Sequence, residues 1–139
     1  MNQGNNLEKI VIIDFGSQFT QLIARKIREL GAYSEIINFK QIKGLTKNKS
    51  LKGIILSGGP LTVTNKNATD LDSSILSLKI PILGICYGHQ ILAKKLGGRI
   101  KVSKKREFGK SLVKSKLKSP ITKKFFIKKI NSVWMSHQD

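Results

Sequence analysis

Four short apolar runs, rich in isoleucine, constrain this chain most. They are Lys9 to Asp14 (KIVIID), Tyr33 to Phe39, Gly53 to Ser57 (GIILS) and Pro81 to Ile85 (PILGI). Each has the length and composition of a buried strand. After the first, Phe19, Leu22, Ile23, Ile27 and Leu30 recur at helical spacing, with Gln18, Gln21, Arg25 and Arg28 on the other side. Ser17 reads as the N-cap of that helix and Gly31 as its C′ stop. Lys40 to Lys52 reads as a short helix or loop, 61–69 as a loop, and Asp70 to Leu78 as a short helix. A second clear helical pattern, Tyr87 to Leu96, follows the fourth run and closes at Gly97-Gly98. Beyond Arg99 the apolar residues thin out, and short strands are expected near 99–103, 110–115 and 132–135.

Strand–helix alternation predicts an α/β fold, a doubly wound and mostly parallel sheet flanked by helices on both faces. Functional residues in such sheets gather at the carboxyl ends of strands. Three ends stand out: Asp14-Phe15-Gly16-Ser17, Ser57-Gly58-Gly59-Pro60, and Cys86.

The 139 residues suffice for one domain with a real core. No apolar run approaches the length of a membrane span, and Met1 to Leu7 lacks a signal-peptide apolar region, so no membrane association is expected. A single cysteine excludes an internal disulfide framework and a cysteine-based zinc cluster. A reduced, cytoplasmic protein without metal or cofactor is the simplest reading. The formal net charge is +18, and 15 of the 26 basic residues fall within 94–129, where Glu107 is the sole acid. Four of the 26 are arginine, the side chain suited to bidentate phosphate contacts. No RNP, zinc-finger or helix-turn-helix pattern accompanies the charge. The expectation is a solvated basic surface with weak, salt-sensitive nucleic acid binding at most.

The chemistry points to Cys86. Gly84-Ile85-Cys86-Tyr87-Gly88 is a G-x-C-x-G sequence between a strand and a helix, the cysteine form of a nucleophile elbow. A tight turn there forces the central side chain outward and crowds its neighbours, which therefore must be glycine. The following helix brings its N-terminal N–H groups and positive dipole end toward the sulfur. The Tyr87 N–H would face an oxyanion formed by attack of Cys86, and the glycine pair Gly58-Gly59 can supply a second backbone donor. His89, one turn beyond Cys86, reads as a packed or capping histidine rather than a base.

These residues carry a family resemblance. Ile13-Asp14-Phe15-Gly16-Ser17-Gln18, Arg28-Glu29-Leu30-Gly31, Gly53 to Pro60, Gly84 to Gln90, Leu96-Gly97-Gly98, Arg106-Glu107-Phe108-Gly109 and Val133-Trp134-Met135-Ser136-His137 occur in order along nearly the whole chain. The pattern resembles the class I (triad-type) glutamine amidotransferases, in the branch that serves GMP synthesis. The resemblance implies a flavodoxin-like domain that hydrolyses glutamine to glutamate and ammonia, with the ammonia aminating XMP on a separate ATP-using domain. It implies Cys86 as nucleophile and the N–H groups of Tyr87 and Gly59 as oxyanion hole. Gly58, Gln90, Ser136 and His137 would contact the substrate glutamine.

Departures matter as much. The family's base and its orienting acid lie in a His-Pro-Glu type sequence several tens of residues beyond Trp-Met-Ser-His, and these 139 residues contain no such sequence. They also lack a Ser-Gly-Gly-Val-Asp-Ser loop of an ATP-pyrophosphatase domain and any dimerisation domain, and Gln138 stands where the family usually has glycine. The expectation is a partial glutamine amidotransferase domain spanning 1–139, short of its C-terminal elements, with glutaminase activity absent or severely reduced. An uncovered apolar face would favour self-association or a partner subunit. The alternatives are a glutaminase subunit completed in trans by such a partner, or a basic binding module.

Overall fold

The computed structural model describes residues 7–60, 68–101, 107–117 and 119–137, which fall into two units dividing after Ile100. In the first unit, β1 (Lys9–Asp14), β2 (Tyr33–Asn38), β3 (Leu51–Leu56) and β4 (Ile82–Gly84) form one parallel sheet in the order β2-β1-β3-β4. That order is the flavodoxin-like one.

Alternation along β1 explains why helices are needed on both sides. Ile12 joins Ala24 and Ile27 of α1 (Thr20–Glu29), with Ile10, Ile36 and Ile55 packed around them. Val11 and Ile13 point the other way. They join Ile54, Leu56, Leu71, Ile75 of α2 (Ser74–Ser77), and Tyr87 and Ile91 of α3 (Tyr87–Lys95). Ile12, Ile13, Leu56 and Ile75 are fully buried, each contributing about 1.5–3 kcal/mol relative to exposure.

Local chemistry sets the boundaries. Gly31, at φ +85, ends α1: its N–H donates to Arg28 O at 2.9 Å and the Ala32 N–H to Ile27 O at 3.2 Å. Gly97 and Gly98 end α3 in the same way, donating to Lys94 O at 3.0 Å and Ala93 O at 2.8 Å. This is the double carbonyl-satisfying cap that a left-handed glycine allows. The polar stretch after β2 is a 3₁₀ helix, Phe39–Lys47, capped by Asn38, whose side chain accepts from the Lys40 N–H at 3.0 Å.

Several expectations change. Ser17 is not the N-cap of α1; Phe19 occupies that position, and the Ser17 hydroxyl accepts from the Phe19 N–H at 3.1 Å as a local turn. β3 begins at Leu51, two residues early, because the buried–exposed alternation runs through Lys52 even though the apolar run does not. The 70–78 helix shrinks to α2, since the Asp72 carboxylate accepts from the Ser74 N–H at 2.9 Å and competes with the backbone ladder. Residues 99–101 form no strand, and 102–106 and 61–67 lie outside the described residues.

The second unit is an antiparallel hairpin, β5 (Glu107–Lys114) with β6 (Ile130–His137), in register from Glu107↔His137 to Lys114↔Ile130. Both strands extend beyond the expected 110–115 and 132–135. Between them lies α4 (Pro120–Phe125), which the sequence reading missed. Ser119 caps it reciprocally with Thr122, and Pro120 sits in its first turn. Apolar residues in this region are too few for helical periodicity to stand out. Among the described residues, no helix is long and apolar enough to cross a membrane.

Candidate active site

The carboxyl ends of β1, β3 and β4 meet around Cys86. The turn from β4 to α3 puts Cys86 at φ +49, ψ −116, a conformation that disfavours any residue with a side chain. Hydrogen bonds hold it there. The Ile85 N–H donates to Leu56 O at 3.0 Å, the Gly88 N–H to Ser57 O at 3.0 Å, and the His89 N–H to Cys86 O at 2.9 Å.

The flanking glycines are required by space. A Cβ at Gly88 would stand 2.2 Å from Leu56 O, and one at Gly84 2.6 Å from His89 Cα. The result is an exposed thiol at the start of a nine-residue helix. Its exposure excludes the view of Cys86 as a buried small hydrophobe.

The two neighbouring loops complete the wall. Gly16, at φ +94, is turned by its N–H bond to Asp14 Oδ1 at 2.9 Å, and Thr20 Oγ1 donates to the same oxygen at 2.9 Å. In the loop after β3, a Cβ at Gly58 would lie 3.4 Å from Ser17 Oγ and 3.5 Å from Cys86 Cβ. A Cβ at Gly59 would lie 2.8 Å from Phe15 O. Glycine is thus what lets this loop pass between the other two. A cavity of about 380 Å³ opens between them, lined by Gly16, Ser17, Gln18, Phe19, Gly58, Gly59, Pro60 and Cys86.

Ser57 is the organiser that the sequence reading passed over. Fully buried, it ties all three strand ends together. Its N–H donates to Ile13 O at 3.0 Å, its hydroxyl accepts from the Phe15 N–H at 3.2 Å and donates to Gly58 O at 3.0 Å, and its carbonyl accepts from Gly88. The available signal was a small hydroxyl residue closing an otherwise apolar strand. Tyr87 also does more than offer its N–H. Its ring packs edge-on against Phe15 at 5.4 Å, and its hydroxyl accepts from the Thr69 N–H at 3.0 Å.

The other candidates fall as follows. Cys86, Gly58 and Gly59 line the cavity together. The N–H groups of Tyr87 and Gly59 donate to no atom of the described residues. Gln90 is half-buried on α3, its N–H bonded to Cys86 O at 3.1 Å. His89 is exposed and absent from the cavity lining, so it is not the packed histidine expected. Ser136 and His137 belong to the second unit, on β6 opposite Phe108 and Glu107. Among the described residues, no group of three or more His, Cys, Asp or Glu side chains could hold a metal ion.

A strained cysteine at a strand–helix turn, walled by two glycine-bearing loops, can present a sulfur nucleophile to a small carbonyl substrate with backbone donors nearby. Known proteins share this arrangement. Residues 11–139 match the family described as glutamine amidotransferase class-I. The GMP synthase (glutamine-hydrolyzing) of Brachyspira hyodysenteriae is 48% identical over 135 residues, aligning 97% of this chain with 26% of that protein. The corresponding protein of Petrotoga mobilis is 47% identical over 133 residues, 96% of this chain and 25% of its own length. The chain spans about a quarter of the length of these curated relatives. A crystal structure of a GMP synthase subunit from Thermoplasma acidophilum matches with a TM-score of 0.70 at 28% identity, over 95% of this chain and 65% of that one. With the elbow, its glycines and its sheet order all in place, the chain belongs to the class-I glutamine amidotransferase family.

Proposed function

We propose that this chain carries the nucleophile half of a glutaminase that supplies ammonia for GMP synthesis, by amination of XMP. Cys86 attacks the carboxamide carbon of glutamine, and the N–H groups of Tyr87 and Gly59 receive the resulting oxyanion. Gly58 and Gln90 border the bound glutamine, and Ser136 and His137 meet its amino-acid end. The observation that carries this reading is Cys86 itself, held at φ +49 and exposed on a cavity bordered by Gly58 and Gly59.

The general base comes from outside the described residues, because His89 does not line the cavity. Without an oriented base, acyl transfer falls by orders of magnitude. The chain alone therefore forms a covalent adduct with a glutamine chloroketone but releases ammonia from glutamine at a severely reduced rate. Peptide mapping should place the adduct on Cys86, faster than with chloroacetone and slowed by added glutamine. Equal reactivity toward the two ketones would overturn the reading. Rapid ammonia release by the chain alone, abolished in Cys86→Ala, would overturn the missing base.

A second reading is completion in trans. Phe108, Leu112, Phe125, Ile127 and Trp134 of the second unit are largely exposed, the kind of apolar surface that partners cover. A polypeptide bearing the His-Pro-Glu segment, added in trans, should then raise ammonia release. No gain at saturating partner would sink this version.

A further inference from the structure

Three side chains with polar or nucleophilic atoms line the cavity beside Cys86: the cysteine, Ser17 and Gln18. Gln18 is exposed, whereas Ser17 is half-buried and fixed. One lone pair of Ser17 Oγ takes the Phe19 N–H at 3.1 Å, which sets the direction of the side chain. Its hydroxyl proton has no acceptor among the described residues. The same oxygen and Cys86 Cβ lie against one face of Gly58, 3.4 and 3.5 Å from where a Cβ would stand. Because Gly58 has no side chain, the space between hydroxyl and thiol stays open.

We propose that Ser17 is a substrate-contacting residue of this site, its hydroxyl donating a hydrogen bond to the carboxamide under attack by Cys86. This rests on the glutaminase reading above and adds a side-chain donor to the two backbone ones. The β1–α1 loop then has a chemical task beyond connecting strand to helix. The Asp14 carboxylate bonds to the Gly16 N–H and Thr20 hydroxyl hold that loop in the shape the contact needs. A donor placed in advance costs no reorganisation when charge develops on the carbonyl oxygen.

The test compares three reagents on the full chain: a glutamine chloroketone, chloroacetone, and a small methanethiosulfonate that has no carbonyl. Each ketone alkylates the Cys86 sulfur, forming a C–S bond and expelling chloride. Ser17→Ala should slow both ketones by about tenfold while leaving the methanethiosulfonate rate unchanged, and Ser17→Thr should restore the ketone rates. Ser17→Asp keeps an acceptor for the Phe19 N–H without a neutral donor. Its ratio of ketone to methanethiosulfonate rate should fall like that of alanine, so the result stands if Ser17→Ala fails to fold. Wild-type ketone rates in Ser17→Ala would overturn the contact, as would an equal loss with all three reagents, which would place the effect on thiol presentation. A wild-type chain that does not prefer the glutamine chloroketone over chloroacetone instead overturns the glutaminase reading, while the chloroacetone and methanethiosulfonate arms still report on Ser17.

Discussion

The two units use their apolar residues in opposite ways. In the first, β1 and β3 are sandwiched, and Val11, Ile12, Ile13, Ile54 and Leu56 are buried from both sides. In the second, the hairpin has its own ladder and α4 its own cap, yet α4 buries no residue and Trp134 is 82% exposed. Hydrogen bonding alone thus builds regular structure in both units, but a rigid site has been built where strands are covered on both faces. A strained turn such as Cys86 persists when its surroundings over-determine it. The parallel sheet provides those surroundings.

The largest expected effect strikes where the sheet meets the elbow. Gly88→Ala drives a Cβ into the Leu56 carbonyl at 2.2 Å and should cost at least about 3 kcal/mol in denaturant unfolding of the first unit. A loss below about 1 kcal/mol would show that the elbow is not tied to the core as described. Hydrogen exchange sharpens the contrast without mutation. Amides of β1 and β3 should exchange at rates near those of global unfolding, and those of β5 and β6 much faster. Equal protection in both units would break the comparison.

Relief of strain should act in the opposite direction. Cys86→Gly should stabilise the chain by about 1 kcal/mol while abolishing labelling by the glutamine chloroketone. Lost stability instead would mean that the positive φ carries no strain. Trp134→Ser tests the second unit and should change stability by less than about 0.5 kcal/mol, while lowering self-association in light scattering. A loss of the size expected for a core deletion such as Leu56→Ala, about 2–5 kcal/mol, would show that the tryptophan is packed after all.

The smallest effect is electrostatic. The Ser74 N–H holds the Asp72 carboxyl below its usual range, and the Ser74 hydroxyl makes no hydrogen bond of its own. A depressed folded-state value means that the stabilisation is present at neutral pH and lost as pH falls through the acid range. The difference in stability between Asp72→Ala and the parent should therefore be slight at pH 7 and vanish in acid. A difference that grows in acid would reverse the assignment.

Much of this was legible in the chain itself. Runs such as KIVIID announce buried parallel strands because both faces must be apolar, and Gly31 and Gly97 mark helix ends because only a left-handed residue closes them cheaply. The elbow was readable from Gly84-x-Cys86-x-Gly88, since the crowding that requires its glycines is local. α4 and the full length of β5 and β6 were not, because capping and cross-strand pairing need no apolar periodicity.

Sequence by itself thus determined the strand–helix alternation, the three loops at the strand ends and the cysteine that one of them presents. Only the tertiary structure decided that Ser57 binds those loops to one another, that Ser17 faces Cys86 across Gly58, and that His89 stays outside the cavity. The physical reason is range. Backbone conformation and burial period are written in neighbouring residues, whereas a hydrogen bond from Phe15 to Ser57 spans 42 positions and exists only once the parallel sheet has brought its carboxyl ends together.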